Sequence, residues 1–275
     1  MHIKRYLKPN NYLKFVKHQL TNLYYPSKKT KIVHTCFEGV EMLVRANEDV
    51  GKGIINKSFE ANELDFILNW LKDDAVFFDV GANTGLFSLL AAAKSSEIQV
   101  HAFDPIKLNT ALLQSSIEIN SLANITVNET CVGNYDGVVE FSVSSDSAYS
   151  SIRDSGRKSE HKKLKLPIIK LDTYIENKSI TKIDFMKIDV EGAEMMVIEG
   201  ANTIFHNNVK PKLMMIELFD KNLIAFDTSV IEVVSLIEKL GYIAHILIGG
   251  KLEAFCSEMH TNKIYNIFFL EHQYD

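Results

Sequence analysis

The chain has 275 residues, 46% of them apolar, which allows one large core or a core with a small appendage, and its apolar runs fall far short of the ~18 residues a membrane span needs. Net charge is −5, yet residues 1–31 hold eight Lys or Arg and no acid, so the remaining 244 residues carry −13. Such an acidic body argues against general nucleic-acid binding, which depends on neutralised phosphates, and three scattered cysteines without a CxxC exclude a disulfide framework or zinc site.

At the start of the chain Tyr12, Leu13, Val16, Leu20, Leu23 and Tyr24 recur at helical spacing until Pro26. The spacing predicts a basic amphipathic helix, packed on the body or making peripheral contact with an anionic membrane through residues 1–31. The start lacks the continuous apolar stretch of a signal peptide, and with so few cysteines the expectation is a cytoplasmic protein. Residues 31–57 alternate like short strands, with Gly39, Gly51 and Gly53 as turns. Leu64, Ile67, Leu68 and Leu71 form one apolar face of a helix over Ala61–Leu71. The expected division is an N-terminal extension over residues 1–60 and a body over 61–275.

From Ala75 the pattern alternates between strand and helix. Strands are expected at Val76–Val80, Gln99–Phe103, Ile125–Val132, Asp184–Ile188 and Leu213–Leu218, and helices near Gly85–Lys94, Leu108–Asn120, Ala193–Phe205 and Val230–Leu240. Alternation of this kind predicts an α/β fold, a doubly wound parallel sheet with helices on both faces. Two further strands, Val138–Val143 and Leu166–Leu171, flank a polar loop over Ser144–Lys163. Ile243–Ile248 and Ile264–Leu270 read as a terminal hairpin at the sheet edge.

The densest chemical signal is Asp79-Val-Gly81-Ala82-Asn83-Thr-Gly85, between an apolar strand and a helix. Such a turn brings backbone N–H groups near a ligand, and the helix N-terminus favours an anionic group. Nineteen positions after Gly85 a second strand ends in Asp104, where an acid takes ribose hydroxyls in nucleoside-binding βαβ units. A dinucleotide would need a glycine where Asn83 stands, and Asp79 would set negative charge near its phosphates. S-adenosylmethionine has no phosphate, and its ammonium, carboxylate and ribose suit Asp79, the helix N-terminus and Asp104. The expected cofactor-binding set is Asp79, Gly81, Ala82, Asn83, Gly85, Asp104 and Asp189. A nicotinamide-dependent oxidoreductase and a non-catalytic cofactor-binding protein are the alternatives.

The second signal is Ile183-Asp-Phe-Met-Lys187-Ile-Asp189-Val-Glu191-Gly192-Ala-Glu194. Asp189 ends a buried strand, Asp189 and Glu191 are expected at the pocket mouth, and Glu194 on an exposed helix face. Glu217 ends the following strand on the same rim. A divalent metal on Asp189, Glu191 and Glu217 is compatible with oxygen ligation, but simpler roles are preferred and no metal ligand is assigned.

Taken together, these motifs resemble the FkbM-type S-adenosylmethionine-dependent methyltransferases. The resemblance rests on Phe78-Asp-Val-Gly-Ala-Asn-Thr-Gly85, His101-Ala-Phe-Asp-Pro105 with Asn120, Val132-Gly133, Ser150-Ser151, Leu171-Asp172-Thr-Tyr, Lys187-Ile-Asp-Val-Glu-Gly-Ala-Glu194 and Lys212–Glu217, together spanning roughly residues 75–220. Phe103-Asp-Pro stands where the family usually has Phe-Glu-Pro, a shorter acid of the same charge. The resemblance implies a class I, Rossmann-like methyltransferase fold with a seven-stranded sheet, mostly parallel, its last strand antiparallel. It also implies methyl transfer to a hydroxyl of a sugar, glycan or related metabolite. A hydroxyl needs a positioned base. His101 is mid-strand and expected in the core, so Asp189 and Glu191 are the catalytic candidates, as base or as orienter. Tyr149, Ser150, Ser151, Arg153 and His161 mark the 144–163 loop as the acceptor side.

Overall fold

A computed structural model describes residues 31–144, 146, 149–153, 161–256 and 265–274. The expected basic helix and its membrane contact lie outside the described residues.

The chain opens with a hairpin of β1 (Ile32–Phe37) and β2 (Val40–Arg45), then α1 (Asp49–Ile55) and α2 (Ala61–Trp70). β2 lays its open edge on α4 (Lys107–Asn120): Leu43 N donates to Ser116 Oγ at 3.0 Å and Glu41 N to Asn120 Oδ1 at 3.0 Å. Gly51 and Gly53, expected as turns, lie inside α1. Asp49 in its first turn, paired with Lys52 at 3.0 Å, and the buried Ile54 outweigh two poor helix formers.

Five parallel strands form one side of an eight-stranded sheet, out to its edge: β10 (Leu213–Leu218), β9 (Phe185–Ile188), β3 (Val76–Val80), β4 (Gln99–Phe103) and β5 (Ile125–Asn128), in that spatial order. Beyond β10 lie β13 (Tyr265–Glu271), β11 (Tyr242–Ile248) and β12 (Lys251–Ala254), each antiparallel to its neighbour. The sheet thus has one strand more than expected, because Lys251–Ala254 folds back on β11. Nor is β13 an edge: it lies between β10 and β11. Its Ile267-Phe-Phe-Leu270 run is buried on both faces, which an edge position would leave partly wet.

Period-two alternation divides the core. Phe78, Met186, Met214 and Phe269 point to one face, covered by α5 (Leu171–Lys178), α6 (Glu194–Glu199), α7 (Asn202–Phe205) and α9 (Val230–Lys239). Phe77, Phe185, Met215 and Phe268 point to the other, covered by α2, α4, α3 (Leu86–Lys94) and the β1–β2 hairpin. A short α8 (Asp220–Leu223) follows β10.

The expected strand Ile125–Val132 is two strands. After β5 the chain leaves the main sheet, and β6 (Cys131–Val132) joins β8 (His161–Ile169) and β7 (Gly137–Ser144) in a three-stranded sheet. The expected helix Ala193–Phe205 is also broken, into α6 and α7. Gly200 stands at the break because a Cβ there would lie 1.9 Å from the Gly133 carbonyl oxygen, so the two backbones touch where the small sheet meets the body.

Candidate active site

The C-terminal ends of β3, β4, β9 and β10 open into one cleft of about 310 Å³, the position at which ligands of open α/β sheets bind. Its lining includes the Gly81–Thr84 loop with Asp104, Ile106, Cys131 and Val132, and also Lys187, Asp189, Glu191 and Glu217. Asp49, Val50 and Phe59 from the N-terminal extension, and Tyr149, Ser150 and Ile152 from the loop after β7, complete it.

The loop is held from behind. Gly81 has φ +86°, and a Cβ there would lie 1.8 Å from the Asp189 backbone oxygen, so the turns after β3 and β9 touch through this glycine. Gly81 N and Ala82 N both donate to Phe103 O at 2.9 Å, Asn83 N to Asp104 Oδ2 at 3.0 Å, and Gly85 N to Ala82 O at 2.8 Å. The N–H groups expected to face a ligand therefore bind their own scaffold, and Gly81, Ala82 and Asn83 reach the cleft as lining surface.

Asp79 and Gly85 do not line the cleft. Gly85 caps α3 behind the loop. Asp79 is 1% exposed; its Oδ2 accepts from Ser88 Oγ at 2.6 Å and its Oδ1 has no partner among the described residues. Burial raises the Asp79 carboxyl above its ordinary range, opposed by Lys187 and Ser88.

Asp104 does face the cleft. Its Oδ1 accepts from Ile106 N at 2.8 Å, and Asn109 Nδ2 reaches both of its oxygens at 3.1 Å. Burial nevertheless pushes the carboxyl up to about 7 against these bonds and the nearby Arg45. Arg45 is a residue the sequence reading did not single out. It ends β2, is 6% exposed, donates to Asn109 Oδ1 and pairs with Glu48 at 3.0 Å.

On β9, beside β3, Lys187 is 5% exposed in its side chain and pairs with Asp189 Oδ2 at 2.9 Å. Burial alone would lower its ammonium; Asp189, Asp79 and Glu60 outweigh burial and raise it. Glu191, at φ +55°, accepts from Asn222 Nδ2 at 2.7 Å. Glu217, at the end of β10, has no hydrogen-bond partner among the described residues, and burial with Asp189 and Glu191 raises it well above the usual carboxylate range. Glu194 is 2% exposed rather than on a wet helix face. Its Oε1 accepts from Val190 N at 3.2 Å and Gly192 N at 3.1 Å, so it serves the turn before α6.

His101 is in the core, bonded to Tyr174 Oη at 2.9 Å and held down to about 4 by burial. In the acceptor-side loop Tyr149 Oη donates to Asp49 Oδ2 at 3.0 Å and Ser151 Oγ to Val190 O at 3.3 Å. Arg153 turns aside to Asp227 at 2.8 Å.

Comparison with known proteins matches residues 79–244 to the methyltransferase FkbM domain. The chain is 25% identical over 158 residues to the 31-O-demethyl-FK506 methyltransferase FkbM of Streptomyces tacrolimicus, a match covering 47% of this chain and 60% of that protein. It is 22% identical over 146 residues to Methyltransferase 1 of Beauveria bassiana, covering 46% of this chain and 59% of that one. The matches thus span about three fifths of those relatives' lengths. Among solved structures, M. jannaschii TYW2 in complex with AdoMet is 11% identical, with a TM-score of 0.45 and coverage of 90% of this chain and 89% of that chain. With the family model spanning more than half of its length, the chain belongs to the FkbM methyltransferase family.

Proposed function

We propose that the protein is an S-adenosylmethionine-dependent O-methyltransferase acting on a hydroxyl of a sugar, glycan or related metabolite. The reading rests on one juxtaposition: the glycine loop and Asp104 line the same cleft as Asp189, Glu191 and Glu217. Oxygen as acceptor is supported by the name of the Streptomyces relative, a 31-O-demethyl-FK506 methyltransferase.

S-adenosylmethionine fits the residues present. Asp104 would accept from the ribose hydroxyls, and Gly81, Ala82 and Asn83 would shape the wall beside the methionine end. The orphaned Asp79 Oδ1 offers an acceptor behind that wall for the ammonium. When bound, S-adenosylmethionine supplies an activated methyl group on sulfur. The chain's own task is to hold the acceptor in line and remove its proton. Asp189 and Glu191 already engage Lys187 and Asn222, which suits them to orienting the acceptor. Glu217 lines the cleft without a hydrogen bond among the described residues and holds its proton more tightly than an ordinary carboxyl, which suits it to the base.

Calorimetric titration tests the cofactor. S-adenosylhomocysteine should bind with micromolar affinity and NAD should not; the reverse selects an oxidoreductase. Methyl transfer to a panel of glycan acceptors then tests the chemistry. Cofactor binding without turnover on any hydroxyl compound would leave a non-catalytic binding protein.

A further inference from the structure

We propose that Arg45, in the N-terminal extension, is a positioning residue for the cofactor site, acting on Asp104 through Asn109. It lies outside the matched segment 79–244, and the inference rests on the reading that Asp104 takes the ribose.

The geometry forms a continuous relay. Arg45 Nη2 donates to Asn109 Oδ1, which leaves the Asn109 amide to donate to both Asp104 oxygens at 3.1 Å. The donation fixes which end of the Asn109 amide faces Asp104, since Arg45 can only donate. Glu48, 5% exposed, holds the other side of the guanidinium at 3.0 Å. All three linked side chains, Arg45, Asn109 and Asp104, are buried, so the contacts are little screened by solvent.

The same extension reaches the cleft a second time. Asp49, four residues on, accepts from Tyr149 Oη at 3.0 Å, and its N–H donates to Asp146 Oδ2 at 3.3 Å. The extension thus supports the ribose acid through β2 and ties down the acceptor-side loop through the first residue of α1. The charged or titratable groups facing Asp104 are Arg45 from β2 and Cys131 from β6, while Arg45 itself also faces Glu48 and Asp146. Of these only Arg45 favours an ionised Asp104. Without it the carboxyl, already held at about 7, rises further, so at pH 7 more of it is protonated and fewer molecules accept from two hydroxyls at once.

The test is S-adenosylhomocysteine binding by calorimetry on the full chain at pH 7 and pH 9. Arg45→Gln should weaken binding about tenfold at pH 7, the value of one charge-assisted contact, and recover much of that by pH 9 as Asp104 ionises. Arg45→Lys, which keeps the charge but lacks the fork that reaches Asn109 and Glu48 together, should bind between the parent and Arg45→Gln at pH 7. The Arg45→Gln effect should vanish on an Asp104→Asn background, where there is no charge to support. A purely structural Arg45 would lower the melting temperature while leaving affinity parental, or lower affinity equally at both pH values and on both backgrounds; either result overturns the proposal. If Asp104→Asn alone binds like the parent, the ribose reading has failed and the relay has no role. Should Arg45→Gln not fold, Asn109→Ser cuts the relay at its middle. The same recovery at pH 9 is expected, and a pH-independent loss or no loss overturns it.

Discussion

Lys187→Met removes the cation around which the floor of the cleft is organised. Its ammonium sits 2.9 Å from Asp189 Oδ2 and also offsets the charges of Asp79, Glu60 and Glu217. Breaking a buried pair by deleting one partner costs about 3–5 kcal/mol, because the remaining charge stays buried without compensation. We expect that loss in urea unfolding at pH 8. It should shrink at pH 5.5, and the sign follows from proton linkage. Burial holds Glu60 at about 7 against an ordinary 4.5, so the native state binds more protons than the unfolded chain between those values. Stability from such a group is present below pH 4.5 and lost as pH climbs through 7. Removing Lys187 raises these carboxyls further, so the variant declines more steeply with pH than the parent. His101 runs the other way, held at about 4, but it is common to both proteins and cancels in the difference. Parental stability at pH 8, or an equal loss at both pH values, would refute the account of this floor.

Gly81→Ala forces a left-handed alanine against the Asp189 carbonyl and should cost about 2–5 kcal/mol from strain and overpacking, read by urea unfolding; a neutral variant would mean the two turns do not touch. Asp79→Asn and Asp104→Ala should each weaken S-adenosylhomocysteine binding about 10- to 100-fold by calorimetry, and parental affinity in both would misplace the cofactor. Glu217→Gln should lower kcat with little change in S-adenosylhomocysteine affinity, whereas Asp189→Asn should mainly raise the acceptor KM; exchanged phenotypes would reassign the base. Vesicles containing phosphatidylglycerol should pellet the full chain more than a chain starting at Lys28, and equal pelleting would remove the membrane role of residues 1–31.

Much of the central sheet was legible because β3, β4, β9 and β10 are each short apolar runs stopped by an acid or a glycine turn. That local pattern also located Asp104, Asp189 and Glu217 on one rim. What local pattern cannot carry is pairing at a distance. The order of β11, β12 and β13 is set by which strand fills both faces, and the break at Gly200 by a backbone 67 residues away in sequence. Glu194 looked exposed because its helical position is polar, yet its carboxylate turns back to serve the Val190 and Gly192 N–H groups. Arg45 carried no motif at all. One hint was available: a lone arginine closing the apolar run Met42-Leu-Val44, in a segment otherwise poor in basic residues.

The contact between Gly200 and Gly133 has a bearing on engineering. It clamps the three-stranded sheet at its root, where no side chain fits, while among the described residues beyond β7 Asp146, Tyr149 and Ser151 tie it to Asp49 and Val190 of the body. A graft that exchanges residues 137–166 and keeps both glycines would therefore swap, on the proposed reading, the acceptor-side lining as a cassette. The Gly81 loop, Asp104 and the Lys187 floor come from strands the graft never enters. On the proposed reading, acceptor choice and cofactor retention would become separable traits, so libraries confined to that cassette would search for new acceptors against a constant methyl-donor site.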